Sequence, residues 1–297
     1  MALADLHRHL DGSLRPETVH ALAADLGLAV PPNLAFHAGM GLQEALSRFA
    51  FTVSLLQSPE AVRRVAAEMV QDAMADGVDT LEVRFAPQLH RGASLERIID
   101  AALDGLGGQA GLVLCGLFGE PPELLETLVS LAISRRGVVG IDVAGGPVAS
   151  HRWGLQDYSA AFALAEKCGI GRTVHAGEVR PAAEIACAIT HLGAQRIGHG
   201  TSLLDSQAVV ELVLQRGITI EACPTSNVHT GIIGAVSEHP LPAWLKLGVK
   251  ACVNTDNTLL SAVTESEEML RVSQIPGMTP ALCALAVRFG QAAKFVR

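Results

Sequence analysis

Several large classes of protein leave marks that this sequence lacks. No apolar run of about 18 residues free of charge stands out, so a membrane-spanning helix is not expected. The opening residues do not make the apolar core of a secretion signal, because Asp5, His7, Arg8 and His9 interrupt it. Positive charge is short. Lys and Arg number 22 against 30 Asp and Glu, a formal net charge of -8. With a pI near 5.7, that balance argues against a nucleic-acid backbone or an anionic membrane as partner. The 6 cysteines (Cys115, Cys168, Cys187, Cys223, Cys252, Cys283) form no Cys-x-x-Cys. Most lie in apolar surroundings and read as reduced core thiols of a cytoplasmic protein, with Cys223 set apart by the polar segment beside it. No Gly-x-Gly-x-x-Gly follows the first strand candidate, and no low-complexity tract, domain linker or fixed-period repeat beyond a βα unit appears. A single domain over residues 1–297 is the expectation.

What is present begins with Leu3-Ala4-Asp5-Leu6-His7-Arg8-His9-Leu10, where apolar and polar residues alternate with the period of a strand. His7 and His9 then project from one face, which packing explains poorly and a divalent-metal site explains well. Helical patterns follow over 16–26, 42–57 and 59–76 before the next strand, Asp79–Pro87, so the surplus chain reads as a helical cover over one end of the sheet. A steady alternation then sets in. Strands are expected at 112–117, 138–144, 172–175, 196–199, 218–222 and 250–255. The helices between them fall at 95–106, 122–135, 158–167, 181–191, 206–215 and 242–246, and a helical tail ends the chain. Near-continuous apolar strands joined by helices imply a parallel sheet buried on both faces. Eight such units in 297 residues, 49% of them hydrophobic, predict a closed (β/α)8 TIM barrel rather than an open doubly wound sheet.

On that scaffold the unusual polar residues fall at one end of nearly every strand, the rim where barrel active sites are built. His7 and His9 end strand one, and Glu82 and Arg84 lie near the end of strand two. His175 and Glu178 follow strand five, His199 ends strand six, residues 223–227 follow strand seven, and Asp256 and Asn257 follow strand eight. His7, His9, His175 and Asp256 make a nitrogen and oxygen donor set that suits zinc and tolerates cobalt, iron or manganese. Glu178 suits a general acid/base acting on a water the metal activates, and His199 could steady the hydroxide as it forms. Structural readings exist for each residue. His175 could be a core histidine, Glu178 a helix-cap partner, and Asp256 the cap of the segment that follows. Glu82 and Arg84 read as an ion pair with each other, and His90 and His229 sit near enough to the rim to support the site. Jointly, the structural readings need a separate coincidence for each residue.

The motifs resemble the adenosine deaminase family of the amidohydrolase superfamily, in order along nearly the whole chain. They are residues 7–14 with Pro16-Glu17, then Asp76-Gly77-Val78 before Glu82-Val83-Arg84-Phe85-Ala86-Pro87, and Gly140–Gly145. They continue with His175-Ala176-Gly177-Glu178, Ile197-Gly198-His199-Gly200, Cys223-Pro224-Thr225-Ser226-Asn227, His239-Pro240 and Asn254-Thr255-Asp256. The resemblance implies one zinc ion held by His7, His9, His175 and Asp256. It makes Glu178 the group that protonates purine N1 and His199 the one that orients the hydroxide. It sets Asp11 at the ribose 5′ side and the Gly145 backbone at purine N3. The implied reaction is hydrolytic removal of a 6-amino group from a small-molecule purine nucleoside, releasing ammonia.

The chain departs from the family pattern at the purine and sugar positions. Asn257 stands where the family usually has a second aspartate, Gly146-Pro147 replaces an Asp-Glu, and the tail after strand eight is short. Asn257 is expected to donate to purine N7, or else to cap its own turn. Adenine deaminases of the family usually carry glutamate at position 11, so Asp11 favours a nucleoside. Adenosine or a 5′-modified adenosine such as aminodeoxyfutalosine is therefore expected; an adenine deaminase and a catalytically silent nucleoside-binding barrel are the alternatives. The cytidine-deaminase type of zinc site is not expected, because its His-x-Glu and Pro-Cys-x-x-Cys signature is absent.

Overall fold

The computed structural model describes every residue of the chain except Met1, Pro147, Ala149 and Arg297. Its strands are β1 (Leu3–His9), β2 (Val78–Phe85), β3 (Gly111–Leu117), β4 (Val138–Ala144), β5 (Gly171–Ala176), β6 (Arg196–His199), β7 (Thr219–Ala222) and β8 (Lys250–Val253). They pair in parallel in sequence order, β1 through β8. The helices are α1 (Pro16–Asp25), α2 (Leu42–Leu55), α3 (Pro59–Ala75), α4 (Leu95–Leu106), α5 (Pro122–Ile133) and α6 (Ser159–Lys167). They continue with α7 (Ala182–Leu192), α8 (Gln207–Arg216), α9 (Pro224–His229), α10 (Leu241–Lys246), α11 (Glu265–Ser273) and α12 (Pro280–Ala293). The expected barrel is there, and the expected elements recur with ends moved by one to a few residues. The short helix α9 was not foreseen; its Pro224 start matches a preference of first helical turns.

Local chemistry sets these boundaries. Ser58 and Ser94 accept backbone N–H bonds from Ala61 and Arg97 at the starts of α3 and α4. α4 ends at Gly107, whose φ of 56 is the left-handed turn that a side chain disfavours. Leu81, Val83 and Phe85 of β2 join one apolar cluster with Val62, Val65, Ile98 and Ile99 of α3 and α4. The surplus chain between β1 and β2 splits its work: α2 covers the carboxyl mouth of the barrel, and α3 packs on the flank against α4 and β2.

Between the apolar residues of β2, Glu82 and Arg84 turn inward, and they do not pair with each other. Glu82 Oε2 accepts from Arg196 Nη2 at 2.5 Å. Arg84 donates to Asp142 Oδ2 and Glu221 Oε2, both at 2.8 Å. The expected Glu82–Arg84 pair fails for a geometric reason. Residues two apart on a strand are separated by about 6.6 Å, whereas neighbouring strands stand about 4.8 Å apart, so partners come from other strands. Arg196 Nε also lies 2.7 Å from Glu221 Oε1, which accepts from Thr173 Oγ1 at 3.0 Å. The barrel interior beneath the mouth is thus an ion cluster drawn from β2, β4, β5, β6 and β7.

The cysteine expectation needs correction too. Cys115, Cys223 and Cys252, on or just after strands, are buried. Cys168 is exposed, and Cys187 and Cys283 are half-buried, because a surface helix or its end keeps one side in water. All are free thiols.

Removing Arg84 would leave two carboxylates of the cluster without a shared counter-charge. Arg84→Met is expected to cost about 3–5 kcal/mol of stability in urea unfolding, as breaking a buried ion pair does. A loss below about 1 kcal/mol would show that the cluster rebalances without it.

Candidate active site

The barrel seam builds the centre of the site. β8 meets β1 through Asn254 Oδ1, which accepts from Leu6 N–H at 2.8 Å, and then through Asp256. Asp256 donates its backbone N–H to His7 O at 2.8 Å and accepts from His9 N–H at 2.7 Å. The segment after β8 is therefore stitched between the two histidines of β1. Asp256 holds a left-handed φ of 63, a conformation uncommon outside glycine. His199 (φ 64) and Val179 (φ 51), beside Glu178, share that strain, which tends to cluster at functional sites.

The side chains converge as the rim argument predicts. His9 Nε2 lies 3.3 Å from His175 Nε2 and 3.4 Å from Asp256 Oδ1. His7 Nε2, buried and without a hydrogen-bond partner, lies 3.6 Å from that same oxygen. Two groups of possible ligand atoms share His7: His7, His9 and Asp256, and His7, His175 and His199. The close approach needs Gly198, where a Cβ would stand 2.8 Å from His7 Cε1.

The far sides of the His7 and His175 rings are held by acids. His7 Nδ1 donates to Glu221 Oε2 at 2.8 Å, and His175 Nδ1 lies 2.9 Å from Asp142 Oδ2. Each contact aims the ring's Nε2 at the centre, the arrangement that orients metal-ligating histidines. Burial lowers the pKa of His7 and His9, leaving the neutral imidazoles that ligation requires. His175 is pulled the other way: burial opposes its charge, but Asp142 wins and raises its pKa. The carboxylates Glu82, Asp142, Glu221 and Asp256 outnumber Arg84 and Arg196, so the cluster carries an excess of negative charge. An orphaned buried ring nitrogen, aimed rings and that excess all fit a divalent cation.

Glu178 and His199 adjoin the donors. Asn227 Nδ2 donates to His199 Nδ1 at 3.1 Å and approaches Glu178 Oε1 at 3.5 Å. A neutral His199 that accepts at Nδ1 carries its proton on Nε2, which lies 3.6 Å from Glu178 Oε2. Burial pushes the Glu178 carboxyl above the usual range. Neither capping reading is seen: Asp256 Oδ2 accepts from Ser226 Oγ at 2.5 Å, and Glu178 turns to the cavity.

A cavity of ≈ 420 Å³ opens above these groups, and Asp11, Gly145, Gly146 and Asn257 also line it. Asp11 sits on the turn Leu10–Gly12 with Oδ1 unpartnered and Oδ2 3.6 Å from His90 Nε2. Asn257 Oδ1 is buried without a partner. Gly145 has a φ of 86 that a side chain would strain. Of the departing Gly146-Pro147 pair, Pro147 lies outside the described residues. His90 is buried beneath Asp11, whereas His229 packs against the Phe36 ring at 6.0 Å.

Sequence reasoning gave no role to Asp142, Glu221 or Asn227. A signal existed for the first two: an acid in the middle of an otherwise apolar, fully buried strand needs a partner.

An eight-stranded barrel with imidazoles and carboxylates gathered at its carboxyl rim is the architecture of a metal-dependent hydrolase. The adenosine deaminase family model matches residues 2–290, and the chain belongs to that family. Adenosine deaminase of Enterococcus faecalis is 35% identical over 288 residues, covering 91% of this chain and 84% of that protein. The Clostridium kluyveri adenosine deaminase is 36% identical over 284 residues, 89% and 81% of the two chains. Among solved structures, adenine deaminase from Arthrobacter aurescens shares the fold at a TM-score of 0.90 and 23% identity, over 100% of this chain and 94% of that one. The N6-mAMP deaminase of arabidopsis does so at 0.87 and 24%, over 100% and 94%.

Glu221 offers a direct check on how the site is oriented. Glu221→Gln keeps the shape but replaces an accepting oxygen with an amide that cannot serve both His7 and the two arginines. Metal affinity, read by competition with a chelator, is expected to fall about 10–100-fold while circular dichroism stays native. Unchanged affinity would show that His7 needs no such partner.

Proposed function

We propose that this chain catalyses hydrolytic deamination of an uncharged 6-aminopurine nucleoside, giving the 6-oxo product and ammonia. The observation that carries this reading is the meeting of His9, His175, Asp256, Glu178 and His199 at the floor of one cavity, with His7 buried directly against them. The first four residues would hold one divalent ion, zinc by the character of the donors, with other transition metals tolerated. His199 is assigned outside that set because Asn227 donates to its Nδ1 and leaves Nε2 protonated. When bound, the ion supplies Lewis acidity and lowers the pKa of a water in the site.

The chain's own residues do the remaining work. Glu178, protonated more readily because it is buried, delivers a proton to purine N1, which makes C6 more electrophilic. His199 holds the attacking oxygen through Nε2. The Gly145 backbone meets N3, Asn257 donates its amide to N7, and Asp11 receives the ribose. A nucleoside is preferred to a nucleotide because no lysine or arginine lines the cavity among the described residues. Phosphate sites are built from such cations.

Turnover of adenosine, AMP and adenine, measured side by side with metal content, tests the reading. Glu178→Gln is expected to keep the metal while kcat falls about 10²–10⁴-fold; a loss under tenfold contradicts the role. A His175→Ala variant that retains full metal occupancy sinks the ligand assignment, and adenine turned over faster than every nucleoside removes the nucleoside.

Asn257 makes a separate prediction. An amide donates at every pH, unlike a carboxyl group, which donates only when protonated. Asn257→Ala should therefore lower kcat/KM by the equivalent of about 1–3 kcal/mol through loss of one buried hydrogen bond. An alanine variant with unchanged kcat/KM takes Asn257 out of the site.

A further inference from the structure

The helix α9 is only 6 residues long, yet several contacts of the site depend on where it sits. Ser226 Oγ donates to Asp256 Oδ2 at 2.5 Å. Asn227 Nδ2 donates to His199 Nδ1 at 3.1 Å and approaches Glu178 Oε1 at 3.5 Å. So short a helix has too few internal hydrogen bonds to fix itself, and its surroundings must hold it. Its carboxyl end is tied to the chain ahead of α2. There Gly39 N–H donates to Val228 O at 2.9 Å and Gly41 N–H to His229 O at 3.2 Å. The amino end, which carries Ser226 and Asn227, is held from another side.

Pro224 opens α9 without an N–H, so the first free donor of the helix belongs to Thr225. Glu268 of α11 receives it. Its Oε1 accepts from Thr225 N–H at 2.7 Å, and its Oε2 accepts from Thr225 Oγ1. The same hydroxyl accepts from Arg271 Nη1 at 2.9 Å. An amide at position 268 could not reproduce this arrangement: it would donate to the hydroxyl and leave the hydroxyl proton without an acceptor. Glu268, Thr225, Ser226 and Asn227 are all buried, and Glu268 does not line the cavity. α11 is a firm base for the clamp. Thr264 and Glu267 cap its start, and Asp76 at the end of α3 accepts from Ser266 N–H at 2.8 Å and from Thr264 Oγ1 at 3.0 Å.

We infer that Glu268 is a positioning residue: through Thr225 it sets α9, and so aims Ser226 at Asp256 and Asn227 at His199. A helix outside the barrel thereby takes part in both metal affinity and turnover. The turnover half of this inference rests on the deaminase reading above; the affinity half does not.

Zinc affinity by competition with a chelator, and kcat and KM at saturating zinc, test it together. Glu268→Gln is expected to lower zinc affinity and kcat about tenfold each, the scale of one hydrogen bond to a charged group, with KM nearly unchanged. Thr225→Val keeps the N–H bond and should show part of the same losses, whereas Thr225→Ser should match the wild type. The route is read from combined variants. Once the bond that α9 aims is gone, Glu268→Gln should cost less than about twofold more: in zinc affinity on a Ser226→Ala background, and in kcat on Asn227→Ala. A full further loss in either background overturns the route through α9. Lowered Tm with wild-type zinc affinity and kcat in Glu268→Gln overturns the positioning role, and Thr225→Val decides it in the same way if Glu268→Gln does not fold. A wild-type chain that binds zinc but deaminates none of adenosine, AMP and adenine overturns the deaminase reading, while the Glu268 and Ser226 affinities still decide the clamp. A wild-type chain that binds no zinc overturns both.

Discussion

A single guanidinium, Arg84, bridges the two carboxylates that orient the buried histidines: Asp142 stands beside His175, and Glu221 beside His7. Glu221 is the more heavily used of the two, because its other oxygen meets Thr173 and Arg196. In a low-dielectric interior, none of these charges could be buried without the rest. Their mutual satisfaction leaves each imidazole with one direction to face. The cluster is thus barrel filling and site scaffold at once, and it explains why this barrel has ions beneath its mouth where many have stacked aliphatic layers.

The site sits where the barrel closes. β8 and β1 meet at the carboxyl end through Asn254 and Asp256. The seam that completes the fold therefore also sets the distance between Asp256 and the β1 histidines. The left-handed backbones of His199 and Asp256 are held by that closure and by the packing around Gly198 and Gly200. Stability and function share the same bonds here, so a change that loosens the seam loosens the donors.

Above this floor the cavity has two characters. Polar atoms gather at the floor around His9, His175, Glu178, His199 and Asp256, and apolar side chains line the approach under α2. The floor accounts for the chemistry that the family shares. The approach holds the departures from the family pattern at Asn257 and Gly146, and no lysine or arginine lines it among the described residues.

The order of elements, the eight-unit barrel and the gathering of His7, His9, His175, Glu178, His199 and Asp256 at one rim were all legible in the sequence. They follow from local rules: hydrophobic periodicity marks strands and helices, and a parallel barrel brings strand ends together. Partners across the barrel were not legible. Nothing local says that Glu82 belongs with Arg196, that Arg84 spans Asp142 and Glu221, or that Asn227 fixes the His199 tautomer. Those pairings depend on strand stagger and side-chain reach, which bring together residues as far as 137 positions apart, as with Arg84 and Glu221. The apolar stripe of α2 was readable as a helix face, but only the tertiary structure shows it turned toward a cavity instead of the core. Sequence pattern determines which residues share a face; packing alone decides what that face meets.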